Sequence, residues 1–352
     1  MMVENISIGE VLQTDPAGYV LLDVRSPSEY AQGHIPGAFN LPLFSDEERA
    51  AVGTVYKTMS PHHAMQRGLE IVGPKMQGIV DQALKLYNGK PIVVHCWRGG
   101  KRSSSIGWLL DFAGMSVSVL TGGYKAYRTY QRSWIDTQPL NLIILGGKTG
   151  SGKTDLLHAL SAKGEQVLDL EQLAHHKGSA FGWMGELEQP STEQFENDIF
   201  EVVRKLDLTK RIWIENESLT IGKVFIPQPL WNKMKSAPLI QLEVPIDVRV
   251  QNLVDIYAGG DAKEALISSF QKISARLGGQ HVKAALEALA NGDYHQAAEV
   301  ALTYYDKTYY YGLEQRNAQI IGKIDTDNMY SEQIVETLII HAQQLHTQSL
   351  AQ

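Results

Sequence analysis

The only cysteine of the chain, Cys96, lies in the stretch VVHCWRGGKRSSS, which fits the frame His-Cys-x5-Arg-Ser. The run PIVVH before it is mostly apolar and β-branched, and a Gly-Gly turn and a serine-rich helix start follow it, so we predict that Cys96 ends a strand and precedes a helix. Backbone N–H groups and the helix dipole lower the pKa of a thiol in such a position. The frame therefore indicates a nucleophile directed at an electrophilic phosphorus, sulfur or selenium atom.

The residues that follow Cys96 are typical of an anion-binding loop. Two glycines permit a tight turn, and three basic side chains lie within six positions of the thiol. Between residues 98 and 132 the chain carries six basic residues and one acid, and such a local positive charge attracts phosphate-like anions or a nucleic-acid backbone. The predicted anion-binding residues are Trp97, Arg98, Gly99, Gly100, Lys101 and Arg102. A solvated basic face is the alternative.

A second phosphate-binding motif, GGKTGSGKT, follows the apolar run NLIILGG and precedes a helical pattern, which is the context that a P-loop requires. Its glycines let backbone N–H groups turn toward phosphate oxygens. Lys153 would reach the terminal phosphates, and the Thr154 hydroxyl would bind Mg²⁺ in a reaction that uses this metal. The predicted loop residues are Gly147, Lys148, Thr149, Gly150, Ser151, Gly152, Lys153 and Thr154.

Acidic residues after two later apolar runs are candidates for completing a metal site. They are Asp169 and Glu171 after the first run, and Glu215 and Glu217 after the second. Each could equally be a solvated strand end, so no metal site is certain. Arg249 lies where many P-loop kinases carry a helical lid, and an ordinary surface arginine is the alternative.

Composition limits the class of protein. The chain has 352 residues, is 43% hydrophobic and carries a net charge of −7. One cysteine excludes an internal disulfide framework, no apolar run is long enough to predict a membrane span, and the N-terminus does not resemble a signal peptide. We therefore expect a cytoplasmic enzyme. Residues 1–137 are nearly neutral, whereas the remainder carries a net charge of −8.

Short apolar runs alternate with helical patterns in two blocks, which predicts two parallel α/β domains. The predicted domains are residues 1–137, with the cysteine loop, and residues 138–352, with the P-loop and a helical end beyond about residue 250. The first strands are predicted in YVLLDVR, PIVVHC and SVSVLTGG, and later ones in QVLDL, RIWIENES and LIQLEVP.

The segment LLDVRSPSEYAQGHIPGAFNLP, with the later LTGGYKAY, resembles the rhodanese family over roughly residues 8–135. The resemblance implies a rhodanese-like fold, in which Asp23, Arg25, His34 and Pro36 mainly stabilise the structure. One departure is that common sulfurtransferase rhodaneses have a six-residue cysteine loop, whereas this loop has seven residues. The larger loop suits a tetrahedral, phosphate-sized anion.

Both halves together, with segments such as WIENES and LTYYDKTYYYG, resemble the bacterial tRNA 2-selenouridine synthase family. The resemblance implies that wobble 2-thiouridine in tRNA is S-geranylated with geranyl diphosphate and then converted to 2-selenouridine with selenophosphate. It also implies that Cys96 carries or delivers selenium. We expect no tightly bound cofactor and no membrane partner, and we expect a monomer. The P-loop motif itself does not distinguish geranyl diphosphate from a nucleotide as its ligand.

Two other functions remain open at this point: a cysteine phosphatase fused to a nucleotide-binding domain, and a sulfurtransferase module that docks on a partner enzyme. A phosphatase would need a general acid; Asp111 is badly placed in a predicted helix, whereas Asp46 lies in a plausible loop.

Candidate tRNA contacts are two further basic clusters and a group of tyrosines. They are Arg204, Lys205, Lys210, Arg211, Lys272, Arg276, His281, Lys283, Tyr304, Tyr305, Tyr309, Tyr310 and Tyr311. Helix packing is the alternative for the tyrosines.

Overall fold

The computed structural model describes residues 3–258, 262–314 and 320–349. The chain divides into two compact units, Met1–Ile135 and Asp136–Gln352. No helix in the described ranges is long and apolar enough to cross a membrane.

The first unit is built on a five-stranded sheet with the order β1-β5-β4-β2-β3, in which all neighbours are parallel. Its strands are β1 (Glu4–Ile6), β2 (Val20–Asp23), β3 (Phe39–Asn40), β4 (Ile92–His95) and β5 (Val117–Leu120). All four residues of β2 and of β4 are buried, which explains why the sequence shows continuous apolar runs here rather than alternation. The cysteine loop follows β4 at the carboxyl edge of this sheet.

Seven α-helices accompany this sheet in the part of the first unit that the structure describes. They are α1 (Ile8–Gln13), α2 (Pro27–Gln32), α3 (Asp46–Thr58), α4 (Pro61–Val72), α5 (Met76–Leu86), α6 (Lys101–Phe112) and α7 (Gly123–Thr137). Serine and glutamate form capping boxes at the start of α1, α2 and α3, so the sequence itself fixes where these helices begin. The core joins β2 and β4 to residues of α5 and α6, including Ala83, Ile106 and Leu110.

The second unit contains a five-stranded parallel sheet with the order β12-β11-β6-β8-β7 and a short antiparallel hairpin. The strands are β6 (Leu142–Gly147), β7 (Gln166–Leu168), β8 (Ile212–Glu215), β9 (Thr220–Ile221), β10 (Val224–Phe225), β11 (Leu239–Glu243) and β12 (Ile320–Asp325). Strand β6, which leads into the P-loop, lies in the middle of the sheet and is completely buried.

The helices of this unit are α8 (Lys153–Ala162), α9 (Leu170–Ala174), α10 (Thr192–Val203), α11 (Gln228–Ser236), α12 (Ile246–Tyr257), α13 (Ala262–Lys272), α14 (Ser274–Leu277), α15 (Gly279–Ala290), α16 (Tyr294–Glu314) and α17 (Ser331–Ser349). Some of them, α8, α10, α11 and α17, contact strands of the sheet, and α13 to α16 form a separate cluster. Residues of α13, α15 and α16 share their own apolar core around Phe181 and Phe270.

The predicted fold class, two parallel-sheet α/β domains, is confirmed. The helical end is present as α13 to α17. It is interrupted by β12, which the sequence did not predict and which pairs with β11 at the edge of the second sheet. The sequence pattern also predicts a helix over residues 294–316, and its last two residues, Gln315 and Arg316, lie outside the described residues.

Candidate active site

Cys96 immediately follows β4 and is almost completely buried. Burial alone would raise the pKa of the thiol, but hydrogen bonds from the Ser103 hydroxyl and from the backbone of Arg98, Ser103 and Gly100 outweigh burial and lower it. The Sγ atom lies 3.3 Å from Ser103 Oγ. Because this hydroxyl also donates to the Gly100 carbonyl, its single proton must turn toward sulfur when the thiol ionises. The loop is therefore built to hold a thiolate.

The cysteine loop closes against the start of α7 through its backbone. The Tyr124 N–H donates to the Cys96 carbonyl, and the Lys125 N–H donates to the Trp97 carbonyl, both at 2.9 Å. Gly99 has a φ of +63°, and a Cβ on it would lie 2.5 Å from the Leu120 carbonyl oxygen. Only glycine allows this approach, so Gly99 and the later pair Gly122 and Gly123 belong to one structural feature.

Buried polar side chains of β2 and β4 lie close to the cysteine loop. Arg25 donates to both carboxylate oxygens of Asp23 and to the Gly33 carbonyl, and its guanidinium lies 4.0 Å from the Tyr124 ring centre. His95, beside Cys96, is fully buried, and burial lowers its pKa to about 4, so it is neutral. These contacts link β2, β4 and α7, consistent with the stabilising role that the rhodanese resemblance implies for Asp23 and Arg25.

Arg102, the seventh residue of the loop, forms an ion pair that the sequence did not indicate. Its Nη1 lies 2.6 Å from Oε2 of Glu29 in α2, and its Nη2 lies 3.3 Å from Oε1. Glu29 also belongs to the capping box at the start of α2. The Ser-Pro-Ser-Glu sequence is a signal for that cap, whereas no local signal points to the arginine. Arg98 and Lys101, by contrast, are exposed and form no ion pair within the described ranges, so they are the cations of the loop that are available to an anion.

The P-loop of the second unit has the backbone that its sequence predicts. Gly150 and Gly152 have φ values of +82° and +70°, and α8 begins at Lys153. The Lys153 amine donates to the Gly147 carbonyl at 2.9 Å and so spans the loop. The Ser151 hydroxyl donates to the Lys148 carbonyl. The arrangement is typical of a loop that surrounds a phosphate chain.

The acidic residues around the P-loop have different roles from one another. The Thr154 hydroxyl donates to Oε2 of Glu171 at 2.9 Å, and the Glu171 N–H donates to Oε1 of Glu215 at 2.7 Å. Asp169 instead caps α9 and lies 3.0 Å from His158. Glu171, rather than Asp169, is therefore the carboxylate beside Thr154.

The charges of these carboxyl groups affect one another. Burial raises the pKa of Glu171, although the Lys153 charge and the Thr154 hydroxyl partly oppose the shift. Burial, followed by the nearby charges of Asp169 and Glu171, raises the pKa of Glu215 well above its ordinary value. Within the described ranges, no group of three His, Cys, Asp or Glu side chains is arranged to hold a metal. The oxygens of Thr154 and Glu171 are nevertheless of the type that Mg²⁺ takes, alongside phosphate oxygens.

Arg249 is neither a surface arginine nor a free charge on a lid. It is only 3% exposed and forms a two-pronged ion pair with Asp306 of α16, at 2.8 and 2.9 Å. It also donates to the Thr149 carbonyl, and Asn252 donates to the Gly150 carbonyl at 2.8 Å. Helices α12 and α16 therefore fix the outer side of the P-loop.

The candidate tRNA contacts divide into paired and exposed groups. The Tyr305 hydroxyl accepts a hydrogen bond from the Ala180 N–H, and Tyr309 donates to Gln241, so packing explains these two tyrosines. Tyr310 and Tyr311 are more than half exposed. The basic cluster at residues 204–211 has an acidic partner for each of its members, which reduces its positive field. The pairs are Arg204–Glu201, Lys205–Glu201, Lys210–Asp207 and Arg211–Glu165.

Two family models match the chain, one in each unit. The family model described as the tRNA 2-selenouridine synthase AAA domain matches residues 140–337, and the rhodanese-like domain model matches residues 10–130. The chain belongs to the tRNA 2-selenouridine synthase family. The resemblance inferred from the motifs is thereby confirmed.

Curated members of the tRNA 2-selenouridine synthase family match over most of the chain. The member from Nitrosomonas europaea is 39% identical over 72% of this chain and 67% of its own length. The member from Bdellovibrio bacteriovorus is also 39% identical, over 73% of this chain and 69% of its own length. The member from Shewanella denitrificans is 32% identical over 88% of this chain and 93% of its own length.

Proposed function

We propose that this chain converts wobble 2-thiouridine in tRNA to 2-selenouridine, by S-geranylation with geranyl diphosphate followed by selenation with selenophosphate. The observation that carries the proposal is the thiolate-stabilising loop around Cys96, which occurs together with a P-loop in a member of this family. The cysteine loop suits a reaction at a phosphoryl group, and the P-loop suits the binding of a diphosphate. Each step of the proposed conversion needs one of them.

In the first step, the P-loop would bind the diphosphate of geranyl diphosphate. The thiocarbonyl sulfur of the base attacks the allylic carbon, the C–O bond breaks, and the diphosphate leaves with the electron pair. The base loses its N3 proton to water, which leaves the S-alkylated base neutral. Lys153 and the backbone N–H groups stabilise the charge that builds on the leaving oxygen. Thr154 and Glu171 would hold Mg²⁺, which would neutralise more of that charge. Alkylation makes the sulfur a better leaving group at C2.

In the second step, the cysteine loop would bind selenophosphate, with Arg98 and Lys101 beside the phosphate oxygens. The Cys96 thiolate attacks phosphorus, the P–Se bond breaks, and selenium leaves as selenide. The selenide adds to C2 of the alkylated base and displaces geranylthiolate. Water then hydrolyses the cysteinyl phosphate, which releases phosphate and restores the thiol. No oxidant or reductant is needed.

The phosphatase alternative lacks support for its general acid. Asp46 accepts hydrogen bonds from the Ser28 side chain and backbone at 2.6 and 3.0 Å. These bonds lower the pKa of Asp46, so this carboxyl is ionised at neutral pH and has no proton to give to a leaving group.

One assay tests the proposal. The protein is incubated with tRNA carrying 2-thiouridine, geranyl diphosphate and selenophosphate, and the nucleosides are analysed by mass spectrometry. We expect S-geranyl-2-thiouridine without selenophosphate and 2-selenouridine when both co-substrates are present. Absence of both products would refute the proposal. Release of phosphate from aryl phosphates, or a thiosulfate-dependent persulfide on Cys96 without RNA products, would favour one of the two alternatives.

A further inference from the structure

An apolar cavity opens beside the P-loop, within the second unit. The space inside it and in front of it, open solvent included, measures about 470 Å³. Thr149 belongs both to the P-loop and to the wall of this cavity, so the cavity adjoins the loop. The rest of the wall comes from the segment around Phe181 and from helices α12, α13, α15 and α16.

The composition of the wall favours an apolar occupant. One side is the small-residue face of α16, formed by Ala297, Ala298 and Ala301, and another includes the ring of Phe270. Small side chains facing large ones leave space that apolar atoms can fill. The cavity therefore differs in character from the charged P-loop at its mouth.

Two of the three tyrosine hydroxyls in the wall, those of Tyr257 and Tyr305, are already engaged by protein groups. The Tyr305 hydroxyl accepts a hydrogen bond from the Ala180 N–H at 2.8 Å, and the Tyr257 hydroxyl is hydrogen-bonded to Ser179. A nucleotide base would need free donors and acceptors at its edges, and burying them without partners is costly. A hydrocarbon chain needs none.

The P-loop side of the cavity is held in place. Arg249 joins the Thr149 carbonyl to Asp306 of α16, the same helix that supplies the three alanines. A ligand with its phosphates in the loop would therefore meet a cavity whose distance from the loop is fixed by hydrogen bonds.

We propose that this cavity binds the hydrocarbon tail of a prenyl-type diphosphate whose diphosphate lies in the P-loop. This inference rests on the proposed function and adds the site and the basis of tail recognition. Each buried methylene strengthens binding roughly fourfold. The full chain should therefore bind geranyl diphosphate at least about tenfold more tightly than inorganic pyrophosphate, with dimethylallyl diphosphate between them.

Isothermal titration of the full chain with these three probes and with ATP tests the inference. Ala298→Phe would fill the cavity from α16, and it should weaken geranyl diphosphate binding at least about tenfold while leaving pyrophosphate binding unchanged. Thr303→Phe places the same ring at an exposed position of α16 and should change neither the affinity for geranyl diphosphate nor that for pyrophosphate. Unchanged pyrophosphate affinity reports that the P-loop is intact, and Ala298→Leu serves in its place where the larger ring disturbs folding.

The outcomes separate the two proposals. Equal wild-type affinity for pyrophosphate and geranyl diphosphate, or an unchanged preference in the filled variants, would overturn the cavity assignment and leave the proposed function standing. Binding of ATP with no binding of pyrophosphate or geranyl diphosphate would overturn the assignment of the P-loop in the proposed function, and the cavity assignment with it.

Discussion

The carboxylate of Glu29 lies 2.6 Å from the guanidinium of Arg102, 73 residues later in the chain. This contact ties the end of the cysteine loop to α2. The Arg102 charge lowers the pKa of Glu29 against the opposing effect of burial, so the pair is ionised at neutral pH. Arg102 therefore shapes the loop, and Arg98 and Lys101 are left as its exposed cations.

Glu29→Gln should destabilise the first unit by about 1–2 kcal/mol, because it removes a partly buried, charge-assisted hydrogen bond and weakens the cap of α2. Urea denaturation followed by hydrogen exchange in α2 and α6 measures the change. The matched control is Glu70→Gln, which breaks the exposed Arg67–Glu70 pair and should have a much smaller effect. Equal losses in both variants would show that the Glu29 contact has no special role.

The reactivity of Cys96 should depend on Ser103. In the wild type, the rate of alkylation by iodoacetamide should rise with pH around a midpoint below the ordinary thiol pKa, because the folded loop favours the thiolate. Ser103→Ala removes a donor to sulfur and should move that midpoint to higher pH. The control is Ser104→Ala, an exposed neighbour in α6, and a shift of equal size there would contradict the role of Ser103.

Variants in the two loops should impair different steps of the reaction. Lys153→Ala should lower geranylation at least about a hundredfold, because it removes a charge that stabilises the leaving diphosphate. Nucleoside mass spectrometry without selenophosphate measures this rate directly. Lys163→Ala, at an exposed lysine after the same helix, is the control. Intact geranylation with lost selenation in Lys153→Ala would show that the P-loop serves another ligand.

Cys96→Ser should leave geranylation intact and abolish selenation, because a hydroxyl is a far weaker nucleophile toward phosphorus than a thiolate. The S-geranyl nucleoside should then accumulate when both co-substrates are supplied. Normal selenation by this variant would exclude Cys96 as the nucleophile.

Glu215 should make the second unit less stable as pH rises. Its pKa in the folded protein is raised, so above about pH 4.5 the unfolded chain releases a proton that the folded chain retains, and unfolding becomes easier. Glu215→Gln keeps the oxygen that accepts from the Glu171 N–H and removes the ionisation. The free energy of unfolding at pH 8, relative to pH 5, should therefore be higher in the variant. A difference of zero would contradict the raised pKa.

The sequence alone determined the features that neighbouring residues encode. The cysteine loop and the P-loop each need a strand, a glycine-rich turn and a helix start within about a dozen residues, so their backbones follow from local preferences. The strands β2, β4, β6 and β8 could be read from apolar runs for the same reason. Strand β12 could not, because its short sequence becomes a strand by pairing with β11, about 80 residues earlier.

Only the tertiary structure decided which side chains meet. Arg249 and Asp306 are 57 residues apart, and Glu29 and Arg102 are farther apart still. No local pattern carries such pairs, since they depend on how helices pack after the sheets have formed. The apolar cavity has the same origin, because its wall joins Thr149 to residues of four later helices. The local sequence specifies the two anion-binding loops, and long-range packing specifies the space and the partners that surround them.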